Sequence, residues 1–297
     1  MINHKGNVQM KTSVLTDNVK FPEGPRWHAG KLWFSDYATR QIMNVDLQGN
    51  VQTLLELPDM APAFGWTPMG RLILVSPRAG RLLRLDDGEL VAFADLFGVA
   101  PYGCGELVID AQGRAYTGSA GYDIFKFGPG YQADPKFGPL VLVTPDGSAR
   151  IVADGMAFPN GMVITPDGQT LIVAESHANR LTTFTIESDR SLSHRRVWAQ
   201  FDQGPLEHRM NPDGMCLDAE GAVWVASPVT KEVIRVREGA EITQRIPVDT
   251  FPLACMLGGP ERRTLFITTT EILNPWDSNV RGRIETTQVD IPGAGLP

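Results

Sequence analysis

Six similar units follow one another along the chain, and this repeat limits the fold more tightly than anything else in the sequence. The units open at Glu23, Phe64, Gly105, Asn160, Asp213 and Ala254, at separations of 41, 41, 55, 53 and 41 residues. A short apolar run follows each opening. Then comes a Gly-containing turn: Ala29-Gly30, Met69-Gly70, Gln112-Gly113, Asp167-Gly168 or Glu220-Gly221, with a looser Gly259-Pro260-Glu261 in the sixth unit. A second apolar run ends at Ser35, Ser76, Ser119, Ser176, Ser227 or Thr268, and third runs occupy 41–45, 81–85, 181–186 and 232–236. The runs are short, rich in Val, Ile, Leu, Phe and Trp, and bounded by Gly, Pro, Asp or Ser, which is strand punctuation. Six units of about four strands predict an all-β, six-bladed β-propeller with four-stranded blades, a single domain over 1–297. A β-sandwich or two small β-domains would not need such a repeat. Further runs at 8–15 and 283–289 flank the units, and the N-terminal strand is expected to close the last blade, removing open edges. The long third interval is expected to hold a Pro/Gly-rich loop over 128–139.

The chain carries 30 Gly and 22 Pro spread along its length, which means many turns. Its 27 Lys plus Arg against 34 Asp plus Glu give a formal net charge of −7. That balance argues against nucleic acid or an anionic membrane as partner, since either needs a basic face. No apolar stretch approaches the roughly 18 residues of a spanning helix. The N-terminal segment lacks the apolar centre of a secretory signal. Cys104, Cys216 and Cys255 are too few for a disulfide framework, so a reducing cytoplasm is expected. Oligomeric state leaves no mark in the sequence.

In a propeller the inner strand of each blade begins near the central axis, on one face. The six opening positions should therefore form a ring. Three of them, Glu23, Asn160 and Asp213, carry side-chain oxygens, and each sits in a Pro-X-Gly frame. Two carboxylates facing each other without a cation repel, and a pKa rises. A hard divalent cation relieves this, because carboxylate and amide oxygens are its preferred ligands. Cys and His are absent at ligand spacing, against a structural zinc site. Calcium fits best; magnesium, manganese and a catalytic zinc are the alternatives. Pro-X-Gly is also ordinary turn chemistry, and from the frames alone that reading stands beside the metal reading.

At this point the sequence resembles a family. The segments Phe21-Pro22-Glu23-Gly24-Pro25-Arg26-Trp27, Phe158-Pro159-Asn160-Gly161-Met162 and Asn211-Pro212-Asp213-Gly214-Met215-Cys216-Leu217-Asp218 are similar to motifs of the SMP-30/gluconolactonase/LRE-like proteins. Ala174-Glu175-Ser176, Asn179-Arg180-Leu181 and Cys255-Met256-Leu257-Gly258-Gly259 match as well. The resemblance runs over nearly the whole chain. It implies a six-bladed propeller with an axial divalent metal, and hydrolysis of lactones, often sugar lactones. It implies that Glu23, Asn160 and Asp213 are metal ligands and that Asp213 is the general base. The chain departs from the pattern in one place. Where many members carry Asn-Asp, with an Arg two positions before the Asn, this chain has Gly105-Glu106 and Gly103. The polar clamp on a sugar ring is thus missing. Glu106, with no side chain before it, is a candidate to reach the hub, as a catalytic or substrate-binding group or as a structural carboxylate.

Loops after the second strands should crown the pocket. They supply Arg78, which suits a substrate carboxylate or hydroxyl, and Tyr122 and His177, which suit hydrogen bonding or a pocket wall. His208 is a candidate proton relay, Cys104 beside the ring a candidate thiol, and His4 and His28 read as surface residues. Phe64 and Trp66 lend one side apolar character. The expected chemistry is metal-dependent opening of a sugar lactone or related small lactone to a hydroxy acid, without a nucleophilic Ser, since no Gly-x-Ser-x-Gly elbow is present. Phosphotriester hydrolysis or a ring rearrangement on the same scaffold, and a non-catalytic binding propeller, are the competing readings.

Overall fold

The computed structural model describes residues 11–127, 137–205 and 208–295. Within them lie six four-stranded antiparallel sheets, arranged as a six-bladed β-propeller. Blade 1 runs through Pro22–His28, Lys31–Asp36, Gln41–Val45 and Val51–Glu56, and blades 2 to 5 repeat that inner-to-outer order. Blade 6 takes its three inner strands from Phe251–Gly258, Thr264–Thr270 and Gly282–Gln288. Its outermost strand is Ser13–Val19 from the other end of the chain, paired antiparallel with Gly282–Gln288. The ring is therefore closed as the sequence predicts.

Three local expectations shift. The closing strand was expected at 8–15, of which 8–10 lie outside the described residues. It runs on past Asp17 and Asn18, because two register irregularities, on either side of Thr16, leave those polar residues exposed while Thr16 and Val19 turn inward. Most of the expected loop over 128–139 lies outside the described residues. Gly138 and Pro139, however, open the strand Gly138–Val143, where a Cβ on Gly138 would stand 1.7 Å from the Ser119 carbonyl oxygen. Third, His28 is half-buried, its ring stacked on Trp66 of blade 2 at 3.9 Å between centroids. His4 lies outside the described residues.

Blades pack through apolar side chains on the faces of their strands. Phe34, Trp224 and Phe266 are fully buried in one cluster joining blades 5, 6 and 1. Each such side chain contributes roughly 2–3 kcal/mol by leaving water. Trp27 stacks on Phe266 at 5.4 Å, over Gly258, where a Cβ would meet the indole at 2.5 Å. Among the described residues no helix is long and apolar enough to cross a membrane.

Candidate functional site at the hub

The Pro-X-Gly frames have a structural cause that neither turn chemistry nor ligand chemistry anticipates. A Cβ on Gly24 would stand 2.9 Å from the Pro62 carbonyl oxygen of blade 2, one on Gly161 2.5 Å from the Asp213 carbonyl oxygen of blade 5, and one on Gly214 2.2 Å from the Ala254 Cβ of blade 6. In each case the glycine lets the next blade's backbone close in at the axis. Only Gly24 also needs a left-handed backbone, with φ of 55°. The residue before each glycine is then held at the hub. Register irregularities follow Glu23 and Pro159 in the inner strands of blades 1 and 4. The approach to Glu23 is fixed by buried Asp36, whose carboxylate accepts from the backbone N–H of Lys20 at 2.7 Å and Phe21 at 3.3 Å.

Glu23, Glu106, Asn160 and Asp213 share one cavity of about 530 Å³ at the hub. Its walls come from loops after the second strands, including Tyr37, Pro77, His177 and Val229, as the crown predicts. For blade 6 the lining comes from farther along that loop, at Leu273, Pro275 and Trp276.

The carboxylates are electrostatically strained. Burial, then the charges of Asp213 and Glu106, holds the Glu23 carboxyl well above the usual range. Burial and Glu106 raise Asp213, against hydrogen bonds from the Asn160 side chain and the Gly214 N–H. Burial pushes Glu106 up to about 7, with Arg26 pulling the other way. Arg26 is buried and donates to the Pro25 carbonyl at 2.9 Å and the Leu107 carbonyl at 2.7 Å, tying blade 1 to blade 3. Asn160 donates through Nδ2 to Ser176 Oγ at 3.2 Å, and Ser176 Oγ donates to the Pro212 carbonyl at 2.7 Å. One hydroxyl thus joins the Asn160 amide to the loop that carries Asp213.

This donor set fits a hard divalent cation. Buried, mutually repelling carboxylates beside an amide make a place where positive charge is stabilising. Among the described residues no three His, Cys, Asp or Glu side chains could hold an ion by themselves, so the fit depends on Asn160.

Of the other expected residues, some line the cavity and some do not. His177 lines the cavity, its ring stacked on Phe158 at 4.6 Å. Arg78 lies off the lining, in an adjoining depression, drawn aside by Asp59 at 3.5 Å and the ring of Phe125 at 4.1 Å. Tyr122 is also off the lining; it is buried, with Phe158 and His177 as ring neighbours. His208 is exposed and does not line the cavity. Phe64 is fully buried with its ring edge-on to half-buried Trp66. Cys104 lines the cavity as a protonated thiol, pushed up to about 12 by burial. Sequence reasoning did not single out Tyr37, Ser176 or Arg209. Tyr37 stands on the first crown loop, and its hydroxyl is raised by burial and by all three carboxylates.

The six-bladed propeller has relatives among known proteins. The SMP-30/gluconolactonase/LRE-like region matches residues 21–271, and the chain belongs to that family. It is similar to pentonolactonase XacC of Haloferax volcanii, 23% identical over 261 residues that cover 87% of this chain and 84% of that protein. Two solved structures share the fold. A gluconolactonase from Xanthomonas campestris superposes with a TM-score of 0.75 at 24% identity, over 95% of this chain and 90% of that one. A calcium-binding protein, regucalcin, from Agrobacterium tumefaciens superposes at 0.73 and 21% identity, over 97% and 98%.

Proposed function

We propose that the protein is a metal-dependent lactonase that opens a lactone to its hydroxy acid. The observation that carries this reading is the meeting of Glu23, Asn160, Asp213 and Glu106 in one buried cavity. Family membership and the lactonase names of relatives support it. Glu23, Asn160 and Asp213 would hold the cation, calcium by the hardness of the ligand set and by the calcium-binding neighbour. When bound, the cation supplies a Lewis acid for the carbonyl oxygen. Asp213 accepts a proton from the attacking water. That water adds to the acyl carbon, the ring C–O bond breaks, and the proton passes to the departing alkoxide. Glu106 faces the same reacting volume, as a second proton acceptor or a hydrogen-bond partner, and His177 walls the substrate. The three buried free thiols support a reducing, cytoplasmic setting, which cell fractionation checks.

The test is proton release from a panel of lactones, with a phosphotriester included, by protein stripped with EDTA and reloaded with Ca²⁺, Mg²⁺, Mn²⁺ or Zn²⁺. Lactone opening should need the ion, and Asp213→Asn should slow it on the order of 10²- to 10⁴-fold. Full turnover by EDTA-treated protein, or by Asp213→Asn, would overturn the proposal.

A further inference from the structure

The hub cavity has two unlike sides. Around blades 4 and 5 it presents Ser176, His177, Arg209 and Asn211. On the remaining arc, beyond Glu23, Glu106 and the Tyr37 hydroxyl at the hub, it presents Phe21, Met60, Tyr102, Leu253, Leu273 and Trp276. Tyr102, Leu273 and Trp276 are 50%, 41% and 53% exposed, so the apolar arc continues to the mouth. Exposed apolar surface that runs unbroken into a cavity is the mark of a binding groove.

Between Tyr102 and Glu106 the blade 3 part of that arc carries no oxygen- or nitrogen-bearing side chain. At Gly103 the backbone has φ of 79°, and a Cβ would stand 2.6 Å from the Pro77 carbonyl oxygen. A side chain there is excluded twice, by conformation and by contact. Cys104 is buried, with its thiol bonded to Thr117. At Gly105 the backbone is outside the left-handed region and a Cβ would meet nothing within 4 Å. The space that a side chain at 105 would fill is part of the cavity.

We propose, on the lactonase reading, that the substrate is a lactone whose ring bears an aliphatic or aromatic substituent rather than several hydroxyls, the ester lying at the hub carboxylates and the substituent along the arc from Tyr102 to Trp276. A hydroxyl buried against Phe21, Met60, Leu253 or Leu273 would have no side-chain partner there, a loss on the order of tenfold each. A methylene buried there gains about fourfold.

Binding and turnover test the two claims separately. Calorimetric titration of the calcium-loaded protein compares 5-hexyl-2-pyrrolidinone with a polyhydroxylated 2-pyrrolidinone, both lactams that resist hydrolysis. The expected result is at least tenfold tighter binding of the hexyl lactam. Trp276→Ala, at an exposed position, should weaken the hexyl lactam about tenfold and leave the polyhydroxylated one unchanged. Gly105→Asn, where the backbone and the open space accept a side chain, should narrow or reverse the preference. Among lactones, kcat/KM should follow the same order. Tighter binding and faster turnover of polyhydroxylated rings would overturn the inference and leave the lactonase reading standing. Preference for the hexyl lactam with no lactone opened would uphold the inference about the cavity's ligand and remove the reaction.

Discussion

Glu106→Gln should make the metal-free protein more stable, and the gain should depend on pH. The side chain is 9% exposed, and burial lifts its carboxyl from the ordinary 4.5 to about 7. The folded state therefore holds this proton more tightly than the unfolded state does. Below about pH 4.5 both states are protonated and no penalty exists. Between about 4.5 and 7 unfolding releases a proton, so stability falls as pH rises; above about 7 the full penalty is present. A displacement of that size corresponds to about 3 kcal/mol. Gln keeps the shape and cannot ionise. It should thus add about 3 kcal/mol near pH 8 and less than about 1 kcal/mol near pH 5. The Glu106 charge also weighs on Glu23 and Asp213 and compensates buried Arg26, and these two effects act on the figure in opposite directions. Urea unfolding of EDTA-treated protein at the two pH values reads the difference, as a midpoint shift of about 1 M near pH 8. Calcium should shrink the gain, since a bound cation offsets the same charge. An equal effect at both pH values, or a loss near pH 8, would refute the assignment of Glu106 to a strained, desolvated hub.

Gly214→Ala should destabilise by at least about 2 kcal/mol, because its Cβ would meet the Ala254 Cβ at 2.2 Å and overpacking of that kind has this cost. Gly168→Ala, left-handed but with nothing within 4 Å, is the control at about 1 kcal/mol; thermal unfolding that ranks the two equally would count against close blade packing as the reason for the frames. Ser176→Ala should lower calcium affinity about tenfold, the usual effect of removing a group that orients a ligand, while the fold persists. Calorimetric titration with calcium checks this, and unchanged affinity would mean that Asn160 needs no such tether.

The fold was legible because a propeller writes itself as a period. Each blade repeats the same placement of turn glycines and apolar runs, so errors in single strands do not spoil the count. What misled was local. The closing strand is expected over 8–15, yet bulges carry it on through Asp17 and Asn18 at an exposed edge. Matching offsets bring four of the six opening positions to the axial cavity, while Phe64 and Ala254 are buried outside its lining. Glu23, Asn160 and Asp213 do line one cavity, and Glu106 joins them. Rim residues carry no such register. Charge and loop position point to Arg78, yet Asp59 and Phe125 hold it aside. Tyr37 carries no such register either, because nothing in Asp36-Tyr37-Ala38 says which way the ring turns. Ser176 marks the end of a second strand in the repeat, and its hydrogen bonds to Asn160 and Pro212 span blades that only the folded ring brings together.

The frames at the hub answer two demands with three residues. Close approach of adjacent blades at the axis requires a residue without a side chain, and Gly24, Gly161 and Gly214 supply it. The same closeness drives Glu23 and Asp213 toward each other and out of water, where each resists ionising. Tightening the ring and assembling the site are therefore one act, and its electrostatic cost falls on the carboxylates. A cation bound between them reverses the sign of that cost, since it binds the ionised folded state and not the unfolded chain. Stability and metal occupancy should then be coupled through these positions. Substitutions that remove the charge, as at Glu106, should stabilise the empty protein, while those that remove a ligand oxygen should abolish stabilisation by calcium.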